Sequence, residues 1–318
     1  MTIAGFTIAA DAADAEREFA VDVPLDLALV LGIHLRGRGD PALRLEGPLR
    51  AWRATRTADG PATLLLQRTA GGVRARAWGP GAAAAVAGVE GLLGLDDDPS
   101  RLVPRHGAVA DAVRRLPGLR IGRTGAVLEA LVPAILEQKV TGDEARRTYR
   151  ALVRVHGEPA PGPGGLRLAP APEVLASLPY HAFHPLGLER RRAELVRAVA
   201  REAARLERLV AVASGPGGDP AAAYAALRAF PGIGRWTAAE VGIRAFGDPD
   251  ALSIGDFHLP NLVAWALAGE PRGTDERMLE LLEPYRGQRG RVARLLELSG
   301  IRAPRYGPRM SPRRIEGI

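Results

Sequence analysis

Two short segments carry the residue types and spacings from which chemistry can be built. The first is Phe230-Pro-Gly-Ile-Gly-Arg-Trp-Thr-Ala238. Gly232 and Gly234 permit a tight turn and a close approach of backbone to another molecule. Helical patterns flank them, from Pro220 to Ala229 and onward to Phe246, so the segment reads as two helices joined by a glycine turn over about 220–247. Ile233, between the glycines, can plug the space between the helices. The N–H groups of residues 234 to 237 then open a helix without intrahelical partners, beside the positive end of its dipole, and such a terminus binds phosphate. Arg235 adds charge and the Thr237 hydroxyl adds a donor. A plain helical hairpin also contains glycine turns. The proline, the isoleucine and the small-residue helix behind them make the phosphate-binding reading the more specific one.

The second segment is Ile254-Gly-Asp-Phe-His258. It precedes an apolar run to Ala268, with Pro260 in the first turn, where proline is tolerated. Asp256 therefore stands at or near a helix N-cap, and alone it would be only a cap. Its position changes that. It follows the hairpin by about twenty residues, one helix and one turn. That distance can return its carboxylate to the hairpin's outward side.

The bulk properties fit an anionic partner. The chain has 318 residues, 47% hydrophobic, enough for two or three packed domains. Its 43 Lys and Arg against 36 Asp and Glu give a net charge of +7, which favours nucleic acid, although an arginine-rich composition gives the same figure. Lys139 is the sole lysine. The absence of cysteine excludes disulfides, thiolate zinc sites and cysteine-ligated iron–sulfur clusters, and no metal or cofactor is expected. Asp96-Asp97-Asp98 lacks further spaced ligands and reads as a cap and turn. No stretch is apolar enough to span a membrane, and the first residues are acidic rather than basic, so a cytoplasmic, nucleoid-associated location is expected.

The elements that must position these segments fall into three regions. Residues 1–105 mix α and β: strands at Phe19–Val23, Leu49–Thr57, Thr63–Thr69 and Val73–Trp78, turns at Gly60-Pro61 and Gly71-Gly72, and helices over Leu25–Leu35 and Ala82–Leu95. Residues 106–300 read as helical throughout, with helices at Gly125–Gly142, Asp143–His156 and Glu189–Val212, and a Pro/Gly-rich loop from Glu158 to Pro172. Asp219-Pro220 is a strong helix start. Residues 301–318 form a basic Pro/Arg-rich tail. The fold class is thus mostly α with an N-terminal α+β domain.

Together the two segments resemble the helix-hairpin-helix (HhH-GPD) DNA glycosylase superfamily, and within it the bacterial 3-methyladenine DNA glycosylase II family. Ala134-Ile-Leu-Glu-Gln-Lys-Val-Thr141 is similar to that family's segment that enters DNA beside the lesion, His184-Pro-Leu-Gly-Leu188 to the lead into its next core helix, and Pro284-Tyr285-Arg286 to its Pro-Trp-Arg motif. The resemblance covers roughly Phe19 to Ser299. It implies two helical domains flanking a cleft, and a monomer that binds double-stranded DNA containing damaged bases. Flipping is needed because the bond to be cut is inaccessible in the stack. Asp256 would be the catalytic carboxylate, stabilising a sugar cation and orienting water. Trp236 and Phe257 would wall the base pocket, since cationic alkylated purines stack on electron-rich rings. Gly232, Ile233, Gly234, Arg235, Thr237, Gln138 and Lys139 would bind DNA.

The resemblance also implies a monofunctional enzyme. Bifunctional members carry at the Trp236 position a lysine that forms a Schiff base. Lys139 would be a wedge or phosphate contact. Two positions depart from the family pattern. Glu240 stands where an aromatic often lines the pocket, and reads equally as a pocket residue or a solvent-facing one. Val292–Leu298 lacks an aromatic as well. These departures leave open a deaminated or other lesion, and a non-catalytic damage-binding protein on the same scaffold.

Overall fold

Strand alternation builds the N-terminal part. In the computed structural model, which describes residues 12–215 and 217–304, five antiparallel strands are ordered β1-β5-β4-β3-β2. They are β1 (Ala15–Ala20), β2 (Leu43–Leu45), β3 (Arg50–Thr57), β4 (Gly60–Arg68) and β5 (Gly72–Trp78). On β4, Leu64 and Leu66 face one core while Leu65 faces another, as a period of two requires. The first core is closed by Leu27, Val30 and Leu31 of the helix Leu27–Leu31 and by the helix Ala82–Ala87. Arg74, on the solvent side of β5, reaches Glu16 and Glu18 on β1.

Several boundaries differ from the sequence reading, each for a local reason. Gly60-Pro61 is not the turn itself: Gly60 pairs with Thr57 and opens β4, so the turn is Ala58-Asp59. The segment Glu158–Pro172 is not all loop. It holds a minimal hairpin, β6 (Glu158–Pro159) with β7 (Arg167–Leu168), too short to show a period. Its Leu166 and Leu168 cover the stacked Trp52 and Trp78 on the sheet's second face. The expected long helix over Glu189–Val212 breaks into Arg190–Arg201, Ala203–Glu207 and Leu209–Ser214. The break brings Glu207 to the N-terminus of the helix Val127–Leu136, where its carboxylate accepts from the N–H of Val127 and Leu128 at 2.7 and 2.9 Å. That terminus has no cap of its own. The aspartate triplet is structural: Asp96 pairs with Arg123, Asp97 with Arg291, and Asp98 caps the turn Pro99–Arg101.

Two helical cores follow. One gathers residues from Val127 to Phe246, with Ile135, Leu136, Phe183, Val196 and Leu227 at its centre. The other combines Leu102, Val109, Ala112 and Leu119 with residues of 252–296. The helix Gly107–Arg115 thus belongs with the C-terminal helices, not with those that follow it in the chain. The chain leaves this body after Leu119, builds the central one, and returns at Leu252. A cleft forms where the two helical bodies and the N-terminal domain meet. No helix among the described residues is long and apolar enough to cross a membrane. Residues 1–11, and the basic tail from residue 305 onward, lie outside the described residues.

Candidate active site

The glycine hairpin is formed by the helices Pro220–Arg228 and Arg235–Val241, the latter continuing as a wider π-turn over Gly242–Phe246. Asp219 caps the first helix through the N–H of Ala221 and Ala222, with Pro220 in its first turn. Gly232 has a φ of +100°, which a side chain would strain, and an added Cβ would press on Leu195. Ile233 is buried in the central core, a burial that contributes about 2 kcal/mol. The second helix starts at Gly234 with no side-chain cap, and Gly234 and Arg235 are exposed. Its first N–H groups therefore face outward unpaired by the helix.

Thr237 does not join them. It is buried, and its Oγ1 accepts from Gln138 Nε2 at 2.9 Å, so the hydroxyl expected to face outward belongs to the interior. The same Gln138 amide donates to Gly232 O at 3.0 Å. Gln138 thereby ties the turn after the helix Val127–Leu136 to the hairpin, rather than projecting freely. Lys139, its neighbour, is exposed. It is the one non-glycine residue with positive φ (55°) among the described residues, a conformation that lysine adopts at a cost. The cost is borne where the chain turns into the capping box of Thr141 and Glu144.

Asp256 lies one contact away. Its Oδ1 accepts the N–H of His258 and Leu259 at 2.7 and 2.8 Å and so caps the helix Leu259–Ala268. Its Oδ2 accepts Trp236 Nε1 at 3.2 Å. One oxygen holds the helix start, and the other is turned toward the hairpin and the cleft. Phe257 is different. It is 82% exposed, packs edge-on against His258 and does not line the cleft, so the expected second wall of the pocket is not there. The cap directs Asp256 inward, and its neighbour in sequence points away.

Behind Asp256 and Trp236 the cleft encloses about 310 Å³. Its remaining polar lining comes from every region: Arg36 of the N-terminal domain, Glu137 beside Gln138, Glu240 and Arg244 of the hairpin helix, Ser253, and Arg294 and Glu297 of the helix Arg289–Leu298. Glu240 is not solvent-facing. Its carboxylate pairs with Arg244 at 2.6 Å and accepts Ser253 Oγ at 2.5 Å. Burial opposes its ionisation, but Arg244, the Ser253 hydroxyl and Arg36 outweigh burial and hold the carboxyl below the usual range. Glu297 is the reverse case: burial pushes it up, and Arg294 compensates only in part. Arg36 pairs with Glu137 at 2.9 Å. Arg36, Glu137, Ser253, Arg294 and Glu297 were not singled out from sequence. They sit on four separate stretches, and apart from the i,i+3 pair Arg294–Glu297 no local spacing links them.

Two helical bodies and an antiparallel sheet, meeting at a polar cleft beside a glycine hairpin, define the helix-hairpin-helix glycosylase fold. The 3-methyladenine DNA-glycosylase of Archaeoglobus fulgidus has this fold: it superposes with a TM-score of 0.71 at 20% identity, covering 88% of this chain and 97% of that one. Residues 132–286 match the model of the HhH-GPD superfamily of base excision DNA repair proteins. Over 174 residues it is 34% identical to a probable bifunctional transcriptional activator/DNA repair enzyme AlkA of Mycobacterium tuberculosis, a match covering 53% of this chain and 34% of that protein. The chain thus spans about a third of that relative's length. Over 207 residues it is 28% identical to DNA-3-methyladenine glycosylase 2 of Escherichia coli, covering 65% of this chain and 70% of the relative.

Proposed function

We propose that this protein is a monofunctional DNA N-glycosylase of base excision repair. It binds double-stranded DNA through the hairpin amides and Arg235, flips out a damaged purine of the alkylated class, and hydrolyses the bond between base and sugar. It acts as a monomer, at the nucleoid, without metal or cofactor. The observation that carries this reading is Asp256 Oδ2 at the mouth of the cleft, held against a tryptophan of the hairpin helix. The match of residues 132–286 to the HhH-GPD model supports the same chemistry.

The roles follow from the geometry. A base in the cleft would lie against Trp236, with its sugar at the rim by Asp256. As the bond lengthens, the sugar gains oxocarbenium character. A carboxylate held by two backbone N–H groups does not need to reorganise to stabilise that charge, and its second oxygen can orient water. Lys139 would act in the strand-entering turn as a wedge or phosphate contact. Hydrolysis by water leaves an abasic site and an unbroken strand. The test is base release from duplexes carrying methylated purines, with strand breakage and borohydride trapping followed in parallel. Free base with an intact strand and no trapped protein is expected. A covalent adduct would overturn the monofunctional assignment, and no release from any methylated duplex would overturn the alkylated-purine assignment.

A further inference from the structure

The cleft is a hydrogen-bonding box with a single aromatic wall. Trp236 is the one aromatic residue lining it among the described residues, and the guanidinium groups of Arg36, Arg244 and Arg294 share the rest of the lining with Glu137, Glu240, Glu297 and aliphatic side chains. Their donors are only partly satisfied. Arg36 gives Nη1 to Glu137. Arg244 gives Nε to Ile33 O and Nη1 to Glu240. Arg294 gives Nη1 to Glu297, and its Nε is buried without a partner. The Nη2 groups of Arg36 and Arg244 have no hydrogen-bond partner among the described residues. These side chains are nearly buried, at 8%, 12% and 16% exposure for Arg36, Arg244 and Arg294. The Nη2 groups of Arg36 and Arg244 are not among the buried unpartnered atoms, so they are open to donate to whatever fills the cleft. On the acceptor side, Glu240 has two of about four lone-pair positions taken, by Arg244 and Ser253.

We infer that this cleft selects purines with a carbonyl at C6, with an arginine of the lining donating to O6 and Glu240 accepting from N1–H. This rests on the glycosylase reading and defines its substrate by the group at C6 rather than by alkylation. A 6-oxopurine presents an acceptor beside a donor, the complement of an arginine–glutamate pair. A 6-aminopurine presents the reverse, a donor toward the guanidinium and a bare N1 toward the carboxylate. Arginine donation to guanine O6 is also used in the DNA major groove, where N7 rather than N1–H is the second contact. A buried polar site rejects the mismatched analogue because its own groups are left unpaired.

Three duplexes separate recognition of the carbonyl from recognition of charge. Hypoxanthine is neutral and 6-oxo, 7-methylguanine is cationic and 6-oxo, and 3-methyladenine is cationic and 6-amino. Single-turnover release by the wild-type protein is measured on each and divided by spontaneous loss. The two 6-oxopurines should both be accelerated at least tenfold more than 3-methyladenine. In Glu240→Gln and in the milder Ser253→Ala, that ratio should shrink severalfold, whatever happens to the absolute rates. Equal acceleration of all three, grouping of the two cationic bases against hypoxanthine, or a ratio unmoved in both variants would overturn the inference while leaving the glycosylase reading intact. Release of none would sink both. The wild-type comparison stands even if a variant fails to fold.

Discussion

Replacing Asp256 by asparagine separates the chemical role of this residue from its structural one. Asparagine keeps an oxygen where Oδ1 stands, so the N–H groups of His258 and Leu259 retain their acceptor and the helix keeps its cap. What changes is Oδ2. A neutral amide replaces the anionic oxygen at the cleft, and its N–H₂ meets the Trp236 Nε1 donor now found at 3.2 Å. Loss of a preorganised electrostatic partner in a water-poor site costs about 3–4 kcal/mol in the transition state, a 10²–10³-fold fall in rate. Asp256→Ala removes the cap as well, at about 1 kcal/mol, or roughly 2–4 °C of melting temperature for a domain of this size. The assay is single-turnover base release at saturating enzyme, with thermal melting of the same preparations. The expected pattern is two variants equally slow but unequally stable. If Asp256→Asn kept more than a tenth of wild-type release, or if activity tracked melting temperature across the pair, the carboxylate would be a cap and nothing more.

Two further outcomes follow from the same geometry. Arg235→Ala at the exposed helix start should weaken duplex binding on every sequence and reduce the slope of log K against log salt by about 1, measured by fluorescence anisotropy, whereas an unchanged slope would remove Arg235 from the phosphate contacts. Glu240 is held below the usual carboxylate range in the folded state, so its stabilisation is present above its unfolded pKa and is lost as pH falls through the lower folded value. Denaturant unfolding should therefore show wild type ahead of Glu240→Gln by on the order of 3 kcal/mol near pH 7, because the variant leaves Arg244 buried and unpaired. That gap should close as pH drops below about 4, and a gap independent of pH would mean the pair is not ionic.

The local alphabet of this protein was readable where a single stretch of chain determines the outcome. Alternation located β5, because Val73, Ala75 and Ala77 face the core while Arg74 faces solvent. Asp219-Pro220 announced a helix, because capping needs only neighbouring residues. The two glycines and Ile233 announced the hairpin for the same reason. Sequence reasoning failed where a partner came from far along the chain. The helix after Glu189 breaks, and Glu207 then caps a helix eighty residues away. Thr237 turns inward because Gln138 reaches it from across the fold. Phe257, though adjacent to Asp256, faces solvent because the cap fixes the rotation of that turn.

Asp256 shows where the division falls. Sequence alone placed an aspartate at a helix start, at a spacing from a glycine hairpin that could bring the two together. Only the tertiary structure set one of its oxygens against Trp236 and put four arginine and glutamate residues of the hairpin and C-terminal helices behind it, with Arg36 and Glu137 beside them. A cap is a local hydrogen-bond problem that a few residues solve. A cleft is a surface shared by three packed bodies, and its chemistry exists only once hydrophobic burial has brought those bodies together.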